Sequence, residues 1–140
     1  MAAVRAGRAG DVEAVLALWG EARSPFAVTP DDAESVARLV ERGALLVAED
    51  DGAIVGALVA AWDGWRGNMY RLAVAAGRRR EGIARRLVEA GHARLRAQGA
   101  RRVTALVAPE DDAATALWRA AGYEHDPQHA RFVRNLEMPV

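Results

Sequence analysis

Between Met69 and Ala84 the chain reads Met-Tyr-Arg-Leu-Ala-Val and then Ala-Ala-Gly-Arg-Arg-Arg-Glu-Gly-Ile-Ala. An apolar stretch of strand length runs into a basic, glycine-containing loop, and the loop opens a helical pattern. Such a junction aims backbone N–H groups, with the positive end of a helix behind them, at one point. Arginines beside that point suit a phosphate or pyrophosphate. The chemistry on offer is retention of an anionic cofactor tail where a strand ends. Gly82 removes the Cβ that would block close approach, and the amides from Arg80 to Ala84 are the candidate donors.

Other reactive residue types are sparse. The chain has no cysteine, which excludes disulfides, thiolate metal sites and a cysteine nucleophile. Ser24 and Ser35 lack the context of a nucleophile elbow. His125 and His129 with Asp126 have spacing that suits a metal, but no further ligand set accompanies them, so ordinary surface histidines and no metal are expected. His92, inside a helical pattern, reads as exposed or as a satisfied polar residue.

The elements that must position this chemistry follow from periodicity. Val4 begins a short strand; Gly10-Asp11 caps a helix with Val12, Val15, Leu16 and Trp19 at helical spacing. Ser24 to Val28 is a break. Thr29-Pro30-Asp31-Asp32 starts a second helix whose apolar face is Val36, Leu39 and Val40, ended by Gly43. Ala44–Glu49 and Ala53–Trp62 are strands around an Asp-Asp-Gly hairpin turn, and a turn at residues 63–67 leads into strand Asn68–Val74. A helix from about Gly82 to Gln98 lines up Ile83, Leu87, Gly91 and Leu95, and Gly99 ends it. Arg102–Val107 is a strand and residues 113–121 a last helix; the tail from Tyr123 to Met138 is expected to supply two further strands, although its alternation is weak. The order β-α-α-β-β-β-α-β-α-β-β gives an α/β (α+β) domain, a mixed sheet with helices on its faces, and 140 residues form one domain, 1–140.

Bulk properties narrow the partners. Net charge is zero, which argues against general nucleic-acid or membrane affinity. The N-terminus lacks the apolar core of a signal peptide, and the longest apolar run, Ala53–Trp62, is too short to span a bilayer. A cytoplasmic location is expected. All strong bases are arginine, so the protein cannot modify itself on a lysine. Residues 1–65 hold 11 Asp and Glu against 5 Arg, a balance of −6, and residues 66–140 hold 8 against 14, a balance of +6. Such halves either attract a cationic substrate and an anionic cofactor or are solvated surface charge.

The order of elements and several motifs resemble the GNAT superfamily of N-acetyltransferases, over essentially the whole chain and most from Gly67 to Tyr123. Arg79-Arg80-Glu81-Gly82-Ile83-Ala84 fits the superfamily's cofactor motif, which runs Gln or Arg, two variable residues, Gly, one variable residue, Gly or Ala. Leu72-Ala73-Val74 stands upstream in the family's register. Ala116-Leu117-Trp118-Arg119-Ala120-Ala121-Gly122-Tyr123 matches its last helix and Gly-aromatic ending. The resemblance implies the acyl-CoA N-acyltransferase fold: a mostly antiparallel sheet of about seven strands with four helices, the fourth strand bulged and splayed from the fifth. It also implies acetyl-CoA as acyl donor. Backbone groups of Leu72, Ala73 and Val74 would pair with the pantetheine arm, and an amide here, that of Leu72, would support negative charge on the thioester oxygen. Arg79, Arg80, Glu81, Gly82, Ile83, Ala84 and Arg85 would surround the phosphates.

Two positions depart from the family pattern. Where relatives carry a pantetheine-binding Asn this chain has Asp111, which serves as a contact or mainly as a helix cap. Where many carry a Tyr proposed to protonate the leaving thiolate it has Trp118, whose indole is no proton source near neutral pH. Trp118 either shapes the thioester channel or belongs to the core. Tyr70 and Asn68, on one face of their strand, and Glu21 are candidates beside the acceptor, each either as a binding or surface residue or as the catalytic base. Trp19, Phe26, Trp62 and Trp65 are candidate walls of the acceptor site, with core packing favoured for Trp19 and Trp62.

The expected activity is therefore acetyl transfer from acetyl-CoA to a primary amine, on a small molecule or a protein N-terminus, by a monomer or homodimer. The alternative is a non-catalytic acyl-CoA sensor of the same fold. Nucleic-acid binding through Arg78, Arg79, Arg80, Arg85, Arg86, Arg101 and Arg102 is disfavoured by zero net charge and by the absence of interleaved aromatics.

Overall fold

The three apolar runs at the centre of the chain become its three long strands. In the computed structural model, which describes residues 1–21 and 31–136, these are β2 (Leu45–Asp50), β3 (Ala53–Trp62) and β4 (Gly67–Val74). Asp51 and Gly52 both take positive φ (51° and 79°), the geometry of a tight hairpin turn. The next turn is closed by Asp63, whose carboxylate accepts from the amides of Trp65 and Arg66. Short strands flank the trio, β1 (Ala3–Ala6) beside β2 and β5 (Val103–Ala105) beside β4. The sheet runs β1-β2-β3-β4-β5; all neighbours are antiparallel except β4 and β5, which are parallel.

Strand alternation gives this sheet two apolar faces. One meets α1 (Val12–Glu21) and α2 (Ala33–Glu41) through Val15, Leu18, Trp19, Val36, Leu45, Val47, Ala57 and Val59. The other meets α3 (Ile83–Gln98) and α4 (Asp112–Ala120) through Leu46, Leu58, Met69, Ile83, Leu87, Leu95 and Trp118. The predicted stripe on α3 is buried along its length, and Gly91 is what lets the helix sit close. A Cβ there would lie 2.5 Å from Met69 Cε. At the opposite edge Asp11 locks the start of the chain. It accepts from both terminal nitrogens of Arg5, at 2.8 and 3.0 Å, and from the Arg8 amide at 2.7 Å.

The fold class is the expected one, a mixed, mostly antiparallel sheet with four helices, but the sheet has five strands among the described residues rather than about seven. Residues 123–136 form no strand. Their alternation is weak, Pro127 withholds a donor, and Asp126 folds the segment by accepting from the Gln128 amide at 2.9 Å. Phe132, Val133 and Leu136 stay exposed. The second helix is capped by Asp32, which accepts from the Ser35 amide at 2.7 Å. The Thr29-Pro30 start, the break at 24–28 with Ser24 and Phe26, and residues 137–140 fall outside the described residues. Among those described, no helix is long and apolar enough to cross a membrane.

Candidate functional site

The site begins where β4 stops being regular. Up to Met69 it pairs on both sides, with β3 and, over Gly67–Met69, with Val103–Ala105 of β5. Beyond Met69 only the β3 side is paired: Ala73 opposes Ala57 and Val74 opposes Gly56. The two parallel strands thus part, leaving one edge of residues 70–74 without a partner strand among the described residues. Backbone donors and acceptors on such an edge call for an amide-like guest.

A bulge accompanies the parting. Three residues of β3, Ala57 to Val59, span the same distance as four of β4, Tyr70 to Ala73. Arg71 takes the left-handed conformation, φ 55°, which costs a non-glycine residue about 1 kcal/mol or more. The extra residue resets the alternation. Met69, Leu72 and Val74 face α3, whereas Ala73 lies on the α1/α2 face, as does Tyr70 opposite Val59. Tyr70 is exposed, and so is Glu21 at the end of α1.

At the far end of β4 the chain makes one 3-10 turn (Ala76–Arg78) and enters α3. Arg80 and Gly82 both have positive φ, 66° and 80°. Gly82 is the N-cap of α3 and brings no side chain to cap it, so the amides of Ile83, Ala84 and Arg85 have no helical acceptor. A Cβ added at Gly82 would meet no atom within 4 Å. The space over the helix end is open, and its donor set of amides backed by a helix dipole fits a diphosphate.

The arginines of the loop divide by task. Arg78 is a clamp: it donates to Glu81 at 3.0 to 3.1 Å and to Asp50 on β2. Arg78 therefore holds the Asp50 carboxyl below the ordinary carboxylate range, and the Glu81 side chain is engaged inside the loop. Arg79 and Arg80 are exposed at its surface, and Arg85 lies 3.6 Å from Glu89 in an exposed helical pair.

On the other flank Asp111 caps α4, accepting from the Ala114 amide at 3.1 Å. Trp118 is 8% exposed and packs edge-on against the Tyr123 ring, with centroids 4.9 Å apart. Of the two roles open to it, the core is where the structure places its ring. The Tyr123 hydroxyl lies 2.7 Å from His92 Nε2, so His92 is a satisfied polar residue. Burial pushes the Tyr123 phenol up to about 12 and the His92 imidazole down, Arg96 adding to the latter. Trp19 is buried and Trp65 exposed, stacked under Arg66. His129 pairs with Asp126 at 2.7 Å, and no cluster able to hold a metal occurs among the described residues. Two surface pockets are present among the described residues. One, of about 340 Å³, lies between α3 and the end of α4, beside Arg85 and His92; the other, of about 520 Å³, is beside Trp62 and Trp65.

The structure thus brings Leu72, Ala73 and Val74 to one open edge and residues 79–85 to the helix end that follows it, with Asp111 and Trp118 on α4. It puts Tyr70 and Glu21 on the α1/α2 side of the sheet. Sequence reasoning missed the Arg78–Asp50–Glu81 clamp and the left-handed Arg71. Neither had a decisive signal: the clamp's link from Arg78 to Asp50 joins residues far apart, and arginine does not announce positive φ.

Comparison with known proteins identifies the family and the fold. The model of the acetyltransferase (GNAT) family matches residues 12–123. An acetyltransferase of Pectobacterium atrosepticum, ECA0875, is 32% identical over 123 residues, 86% of each chain. Among solved structures, AAC(6')-Iy in complex with the bisubstrate analogue CoA-S-monomethyl-acetylneamine superimposes with TM-score 0.76 at 19% identity, covering 97% of this chain and 99% of that one. A ribosomal-protein-alanine N-acetyltransferase from Brucella melitensis does so with TM-score 0.73 at 24% identity, covering 87% and 84%.

Proposed function

The chain belongs to the acetyltransferase (GNAT) family, and from that premise we propose that it moves an acetyl group from acetyl-CoA directly to a primary amine. The observation that carries the reading is the one-sided pairing of residues 70–74 leading to the uncapped amides at Gly82–Arg85. Acetyl-CoA supplies an activated thioester; the chain's part is to hold, orient and stabilise. The amides of α3, with Arg79, Arg80 and Arg85 nearby, hold the diphosphate. The free edge of Leu72, Ala73 and Val74 holds the amide groups of the arm, and an amide at the bulge supports charge on the thioester oxygen. Orienting two reactants in this way supplies much of the rate without a covalent intermediate.

The amine must arrive neutral, and a lysine-like amine starts near pKa about 10.4. Tyr70 and Glu21, both exposed on the α1/α2 side, are the groups in this proposal to receive its proton, directly or through water. The acceptor is a small-molecule amine or a protein N-terminus. Both have counterparts among the neighbours, one bound to a CoA–acetylneamine conjugate and one named for ribosomal-protein alanine. The setting assumed is one catalytic domain, as monomer or homodimer, in the cytoplasm.

One observation favours a second reading. Trp118 stands in the core and the Tyr123 phenol, just past α4, is held by His92, so neither α4 nor the turn after it offers a free phenol to the leaving thiolate. A non-catalytic acyl-CoA sensor would need none. Calorimetric titration with acetyl-CoA, followed by thiol-reagent detection of CoA release across a panel of amines, separates the two. The chain has no cysteine, so the reagent reads CoA alone. Release with any amine supports the transferase. Tight binding with no release on every amine supports the sensor, and absence of binding overturns both.

A further inference from the structure

Arg71 is the residue on which β4 bends, and it is held from the other side of the molecule. Its NH2 lies 2.8 Å from Asp31 Oδ1, with the two side chains only 21% and 14% exposed. Asp31 stands two residues ahead of α2, and α2 is anchored in the core through Val36. The left-handed φ of 55° at Arg71 is unfavourable for an arginine left to itself. A charge-assisted contact shielded from water is the kind of interaction that over-determines such a conformation. The same residue supplies the extra position that separates Tyr70, on the acceptor side, from Leu72, on the α3 side.

We infer that the Arg71–Asp31 ion pair is the positioning device that keeps the β4 bulge set, so that the Leu72 amide meets the thioester oxygen. Arg71 and Asp31 need not touch either substrate; they act through the backbone between Tyr70 and Ala73. This inference rests on the acyl-CoA reading above. It adds that the approach to α2, on the acceptor side, is mechanically joined to the atom that polarises the donor.

The test compares CoA with acetyl-CoA, which differ only in the acetyl group at the sulfur. Dissociation constants for both are measured by calorimetry on wild type, Asp31→Asn, Arg71→Met, Arg71→Gly and Arg71→Lys, with a thermal melt on each to confirm folding. Wild type is expected to prefer acetyl-CoA about fivefold, the size of one hydrogen bond. Asp31→Asn and Arg71→Met should lose that preference while the CoA constant stays within about twofold, because the diphosphate site is untouched. Arg71→Lys, which retains a cation, should restore it. Arg71→Gly, which permits the positive φ but lacks the tether, should lose it. Retention of the preference in Asp31→Asn and Arg71→Met, or in Arg71→Gly, would overturn the ion pair's role. A wild type that binds both equally overturns the inference but leaves CoA binding intact. One that binds neither overturns the acyl-transfer reading as well.

Discussion

At Gly82 two requirements meet in one residue. Its φ of 80° is costly for any side chain, and the space beside its Cα is empty of protein atoms within 4 Å. A substitution therefore strains the backbone but need not collide with the fold. Gly82→Ala should cost about 1 kcal/mol of stability from φ alone. Gly82→Trp should cost a similar amount yet weaken acetyl-CoA binding about tenfold or more, because the indole occupies the approach to the amides. Thermal melts and calorimetric titration of both variants check this, and an unchanged dissociation constant for Gly82→Trp removes the loop from the site. Gly82 was legible in the sequence because glycine before a helical stripe has few other uses. Arg78 and Arg79 were not separable there, being identical neighbours; only their partners show that Arg78 braces the loop while Arg79 faces outward.

Among the elements, α3 carries most of the load: it seals one face of the sheet, presents its N-terminus to the cleft, and meets Tyr123, just beyond the end of α4, through His92. That contact makes a pH prediction. Burial lowers the His92 pKa in the fold, so below the ordinary value of about 6.5 the unfolded chain takes up a proton that the folded chain resists. The stability from this group is complete above that value and is lost as pH falls through the lowered folded pKa. The wild-type melting temperature should drop more between pH 7.5 and 5.5 than that of His92→Gln, which keeps a hydrogen-bonding side chain without the titration; equal slopes would refute it. The stripe on α3 was readable because four-residue spacing of apolar positions survives any tertiary context. The missing tail strands were misread because two-residue alternation is a weak signal in a segment of mixed charge with Pro127, where pairing depends on a distant edge.

Across the whole molecule, the opposite charges of the two halves of the chain are partly consumed internally. Asp31 is paired with Arg71, and Asp50 with Arg78, so the acidic half grips the basic half at both ends of the open edge rather than simply facing solvent. The family fold was legible from element order and the Arg79–Ala84 motif. The side of the sheet that each residue of β4 faces was not, because the alternation changes phase at Arg71.

That phase change has a further consequence. Arg71 is a spare residue: remove it, and Met69, Leu72 and Val74 still point to α3 while Tyr70 and Ala73 still point the other way, now in plain succession. Loss of this single codon should leave the hydrophobic interior in register and the melting temperature within a few degrees of wild type. Yet it should flatten the strand proposed to hold the donor and abolish preferential binding of acetyl-CoA. If the deleted protein melts near wild type but cannot tell acetyl-CoA from CoA, folding and donor discrimination in this chain are separable by three nucleotides; if it fails to fold, the bulge belongs to the architecture and not to donor discrimination alone.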